Sequence, residues 1–177
     1  MQPQNEKNLY DLSQAERETL LRTSWMYHDY QWYQNTIEAV GPEHANRNNQ
    51  EAIYVAGKGE MTRLMRALRI YPVRSIENVI KLILAANDLY IGKMVQMRLS
   101  NGPDWLHFGA AACFSREGTR KDGLESSYFC GALKRISGWL AAMNVEHKVE
   151  PEIGLCLPAQ GKPCSFLVRL KADWLKP

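Results

Sequence analysis

The sequence predicts an α+β protein: a helical N-terminal region followed by an antiparallel sheet with a packed helix. Three observations lead there. Apolar residues recur at helical spacing to about Asn87, strand-like alternation sets in from about Leu89, and two further extended runs close the chain after one more helical segment. At 177 residues and 45% apolar composition, the chain can bury one core of ordinary size or two small subdomains sharing an interface. The expected division is 1–87 helical and 88–177 α+β, with all four cysteines in the second part.

The first helix opens at Ser13-Gln14-Ala15-Glu16, where Ser13 as N-cap and Glu16 three residues on form a capping box, with Leu12 as a staple. It should run to about Val40, where Gly41-Pro42 stops it. Along it Leu21, Trp25, His28 and Trp32 fall at i, i+4, i+7 and i+11 and share one face. A second helical segment from Glu43 has Ala45, Ala52, Ile53, Val55, Met61, Leu64, Met65 and Leu68 as its apolar set. The Gly57-Lys58-Gly59-Glu60 stretch is expected to bend it and Tyr71-Pro72 to end it. Ser75 can cap a third helix that buries Ile76, Val79, Ile80, Ile83 and Leu84.

From Leu89 the stretches 89–100 and 105–115 read as two strands joined by the turn Asn101-Gly102-Pro103-Asp104, with Val95, Met97 and Leu99 alternating with polar neighbours. Residues 116–123 read as a polar loop. A helix is expected from about Ser126 to Met143, with Phe129, Leu133, Ile136, Trp139 and Leu140 inward. Residues 145–156 and 164–171 should then form two more strands around the turn 157–163.

With 22 Lys+Arg against 19 Asp+Glu, the net charge of +3 is too small and too evenly spread to suggest nucleic acid. Arg63, Arg66, Arg69 and Arg74 form the densest basic run, read as a solvated helix face or as a phosphate or carboxylate contact. The N-terminus has no signal-peptide pattern, and no apolar run approaches the ~20 residues of a membrane span. The expected location is the cytoplasm, where Cys113, Cys130, Cys156 and Cys164 are thiols or metal ligands rather than disulfides.

No Cys-x-x-Cys knuckle exists, so spacing alone leaves zinc and packed thiols both open. The predicted topology favours convergence. Cys113 ends the second strand, Cys130 opens the helix, and Cys156 and Cys164 flank one turn, which could bring four thiolates to one end of the sheet around a closed, structural zinc site. No glycine-rich phosphate loop follows a strand, and neither a G-x-S-x-G elbow nor an H-E-x-x-H pair occurs.

Around Cys156, Gly161, Cys164 and Phe166, with the earlier Cys113 loop and Cys130 helix, residues from about Leu89 to Leu170 resemble the 4-vinyl reductase domain family. That resemblance implies a small ligand-binding domain and strengthens the zinc reading. The motif W-x-x-H-D-x-x-W, here Trp25, His28, Asp29 and Trp32, resembles a helix of cytosolic bacterial and archaeal proteins related to L-2-amino-thiazoline-4-carboxylic acid hydrolases. Glu60 falls in the segment matching their second helix. Phe114-Ser115 follows Cys113 where those relatives often have proline.

Set between two indoles, His28 would be partly desolvated and held toward its neutral form unless a carboxylate opposed this, while adjacent Asp29 projects about 100° away. The expected site is a pocket between the front helix and the sheet, with Trp25 and Trp32 as walls, His28 and Asp29 as polar contacts and Glu60 nearby. Three functional expectations follow. The first is a small-molecule- or metal-binding module. The second is a hydrolase using His28 as base, with Asp29 or Glu60 as orienter, or using Cys113 or Cys130 as nucleophile. The third is a homodimer formed through the aromatic face, with Tyr27, Tyr30 and Tyr33 at a pocket rim or at that interface.

Overall fold

A computed structural model describes residues 11–171. Helix α1 (Gln14–Leu68) is followed by α2 (Ile76–Ala86), a π turn (Asn87–Ile91) and a 3-10 turn (Gly92–Met94). Then come β1 (Val95–Asn101), β2 (Trp105–Cys113), α3 (Phe114–Lys121), α4 (Gly131–Ala142), β3 (His147–Glu150), a 3-10 turn (Pro158–Gln160) and β4 (Ser165–Leu170). The sheet is antiparallel throughout, in the order β1-β2-β4-β3. The protein is α+β, as its periodicities predict. No helix among the described residues is long and apolar enough to cross a membrane.

The capping box starts α1: Ser13 Oγ accepts from the Glu16 amide at 3.3 Å, and the Ser13 amide donates to Glu16 Oε2 at 2.8 Å. Gly41 takes φ 80° and ψ 163°, dividing the helix into two limbs. Glycine carries that dihedral pair without a Cβ penalty, and Pro42 has no N–H to lose at the start of the second limb. Buried Asn46 locks the joint. Its Oδ1 accepts from Tyr33 Oη at 3.0 Å and the Phe129 amide at 2.9 Å, and its Nδ2 donates to the carbonyls of Pro42 at 2.8 Å and Ser127 at 2.7 Å.

The helix is not interrupted at 57–60 as expected: Gly41 is the one interior residue with non-helical dihedrals, α1 runs on to Leu68, and Gly57 and Gly138 serve packing. A Cβ on Gly57 would stand 2.5 Å from the Arg135 carbonyl oxygen, and one on Gly138 of α4 would stand 2.3 Å from the Tyr54 carbonyl oxygen. The two helices therefore cross backbone to backbone. Around that crossing lies one core, built from Met61, Leu64 and Met65 of α1, Leu82 and Ile83 of α2, Trp139 and Leu140 of α4, and Leu106, Phe108, Phe166 and Val168 of the sheet. The helical region and the sheet region share this core.

Four further boundaries differ from the sequence reading. The strand expected over 145–156 is only β3, His147–Glu150, and the chain then leaves the sheet at Pro151. Residues 89–94 extend α2 as π and 3-10 turns, so β1 begins only at Val95. The stretch read as a polar loop is α3, a short helix with Glu117 in its first turn and Arg120 and Lys121 in its last, as the helix dipole favours. The helix expected from Ser126 starts at Gly131, because residues 128–130 pair with 154–156: Phe129 bridges Leu155, the Cys130 amide donates to Gly154 O at 2.8 Å and the Cys156 amide to Tyr128 O at 2.9 Å.

Because the obstacles at Gly138 are backbone atoms, Gly138→Ala must push the helices apart. We expect a loss of about 1–3 kcal/mol in chemical denaturation. Gly154→Ala, whose added methyl meets nothing within 4 Å, should stay within about 0.5 kcal/mol.

Candidate functional site

Cys113 closes β2, Cys130 is the N-cap of α4, Cys156 lies in the β3–β4 connection beside Tyr128, and Cys164 immediately precedes β4. From these four positions the cysteines line one cavity of about 50 Å³, together with Arg116, Tyr128 and Ser115. None is in a disulfide. That volume takes an ion with its water or a very small ligand, whereas a drug-sized molecule needs roughly 300 Å³ or more. Among the described residues no three His, Cys, Asp or Glu side chains are gathered closely enough to hold a metal ion as they stand. Closing four thiolates on one ion therefore requires side-chain turns into the cavity.

Burial pushes the Cys130 thiol up from its ordinary 9.0 to about 12, and thiolate charge at Cys113, Cys164 and Cys156 adds to the effect. Cys156 and Cys164 are raised by burial too, against smaller opposing pulls from a backbone hydrogen bond at Ala159 and Ala110 respectively and, weaker still, from Arg116. The helix N-terminus does not activate Cys130 as a nucleophile needs, because desolvation outweighs it. An apolar cavity of about 40 Å³ adjoins this one under α4, lined by residues including Met97, Phe108, Leu133 and Ile136. It also meets Asn87, whose Oδ1 is buried without a hydrogen-bond partner.

The aromatic face of α1 is arranged as its spacing predicts but points outward. Trp25 stacks on His28 with ring centroids 5.8 Å apart, and Trp32 Nε1 donates to His28 Nε2 at 3.2 Å. Trp25 is 62% exposed and Trp32 64%, and His28 is exposed with them. The indoles therefore wall no pocket with the sheet, and His28 is not desolvated by them. Of the motif, Asp29 alone faces inward, lining two adjoining cavities of about 40 Å³ each between the first limb of α1, α3 and the start of α4. Tyr27 is exposed. Tyr30 Oη donates to Asp122 at 2.5 Å, and Tyr33 is buried against Asn46, where burial raises its hydroxyl to about 12.

Glu60 is buried away from His28. Its Oε2 accepts from Trp139 Nε1 at 2.9 Å and lies 3.8 Å from Arg135 Nε. Arg135, only 6% exposed, lines the Asp29 cavity with Tyr128 and Ser115. That cavity meets the thiol cavity at Val95, Ser115, Tyr128, Gly131 and Ala132, which line both.

Sequence reasoning missed Arg135 because Lys134-Arg135 resembles a surface pair. Its position four residues before inward Trp139 was the available signal. Tyr128 and Ser115 carried no such signal, since their placement depends on the 128–130 pairing and on α3.

In metal-free protein, burial makes thiolate at Cys130 far scarcer at pH 7 than in a free thiol, so it should be the slowest of the four to alkylate in a mass-spectrometric time course. The unfolded chain releases this proton near pH 9 and the folded chain near pH 12. Stability is fully present below pH 9 and falls as pH rises through that window, and Cys130→Ala should make the slope in urea melts shallower. The chain matches no family model and none of the curated proteins compared with it.

Proposed function

We propose that the protein is a small-molecule- and metal-binding module in which Cys113, Cys130, Cys156 and Cys164 hold one thiophilic divalent cation, zinc by preference. What carries this reading is the meeting of four unpaired thiols, from three chain segments, at one cavity. The donor set suits the ion: soft sulfur ligands select zinc, and a dication offsets both the burial that chiefly raises Cys130, Cys156 and Cys164 and the smaller repulsion from neighbouring thiolates. The resemblance to 4-vinyl reductase domains, carried by the same cysteines, supports it as well. Bound there, zinc would supply structural cross-linking between β2, the start of α4 and the β3–β4 connection. In a reducing cytoplasm, the location that we propose, the cysteines remain available as thiols.

Elemental analysis of untagged protein produced in zinc-supplemented medium should find about one zinc per chain, with all four thiols slow to react until a chelator is added. Absence of metal, together with unchanged thermal stability in Cys156→Ser, would overturn the proposal.

A further inference from the structure

The cleft between the first limb of α1 and α4 brings two opposite charges to one cavity without pairing them. Arg135 is buried, yet its guanidinium makes no hydrogen bond with any described residue; its one charge contact is Glu60 Oε2, 3.8 Å from Nε, and Trp139 already donates to that oxygen. A guanidinium carries five N–H donors. Among the described residues Asn87 Oδ1 is the one fully buried side-chain polar atom without a partner, so the Arg135 donors keep access to the cavity they line. On the facing helix, half-buried Asp29 has no hydrogen bond or ion pair with any described residue, and the two groups do not bridge each other. Tyr128 and Ser115 add hydroxyls to the same wall.

We infer that this cleft binds a small zwitterion, its carboxylate against Arg135 and its ammonium group against Asp29. A carboxylate offers a guanidinium two parallel acceptors, which a water molecule cannot, and an ammonium group donates to a carboxylate at charge-assisted strength. Glu60 is the positioning residue: from behind, its carboxylate stands against the Nε side of Arg135 and is itself held by Trp139. The inference deepens the small-molecule half of the proposed function and stands apart from the metal. A chain that holds zinc but takes no zwitterion sinks this inference alone, and a metal-free chain that binds one sinks only the zinc reading.

The test is a ¹⁵N–¹H titration of the full chain with glycine, β-alanine and 4-aminobutyrate, zwitterions of increasing span, and with acetate and methylammonium as half-ligands. Metal content is measured on the same sample. At least one zwitterion should saturate at about millimolar concentration and shift the Gly131 and Ala132 amides, with both half-ligands at least about tenfold weaker. Asp29→Asn and Arg135→Lys should each weaken that zwitterion by about tenfold or more. Asp29 sits on a half-exposed helix face, so its variant keeps the test decisive if the Arg135 variant fails to fold. The inference is overturned if no zwitterion saturates, if acetate binds as tightly, or if Asp29→Asn leaves the affinity unchanged.

Discussion

The backbone crossing of α1 over α4 fixes most of what else the molecule contains. Gly57 and Gly138 let a carbonyl of each helix approach the other helix where any side chain would stand in the way. At that separation Trp139 reaches Glu60, Glu60 meets Arg135, and Lys134 lies over the Tyr54 ring at 5.2 Å. Gly131 repeats the device one heptad earlier, where a Cβ would meet Ile53 and Tyr128. Small residues at 131 and 138 thus let α4 lie flat along the second limb of α1 while its other side closes over the sheet.

That placement has a chemical consequence at the N-terminal end of α4. Cys130 and Gly131 sit where the helix, the 154–156 segment and the ends of β2 and β4 meet, so one short stretch of chain borders both the thiol cavity and the Asp29 cleft. Tyr128 stands at their common wall. A soft-donor environment and an oppositely charged pair are thereby neighbours in a molecule whose net charge is nearly balanced.

The fold class was legible because it rests on periodicity: the helical spacing of Met61, Leu64 and Met65 and the alternation in β1 and β2 each report a burial pattern set locally. The inward face of the first limb of α1 was not. Its most apolar stripe, Leu21, Trp25 and Trp32, faces solvent, while the inward side is chosen by tertiary hydrogen bonds of Tyr30 and Gln34 to Asp122 and of Tyr33 to Asn46. Hydrophobicity cannot announce a face that polar contacts select. The cysteine topology could be read in part: Cys113 does end β2 and Cys164 does immediately precede β4, whereas Cys156 lies six residues beyond the end of β3. Arg135 was signalled only by its spacing to Trp139, since its burial depends on a glycine crossing that the sequence suggested only as a bend.

The joint at Gly41 has a genealogical consequence. Asn46 uses both donor hydrogens and both acceptor sites of its amide to tie the kink to segment 127–129. An aspartate there would lack the donors, and a glutamine would carry its amide one methylene too far. Descendants of a common ancestor that kept this joint would therefore keep a glycine and, five residues on, an asparagine midway along a long helix, even after their surfaces had diverged. That short pattern is a marker by which kinship to this chain can be traced.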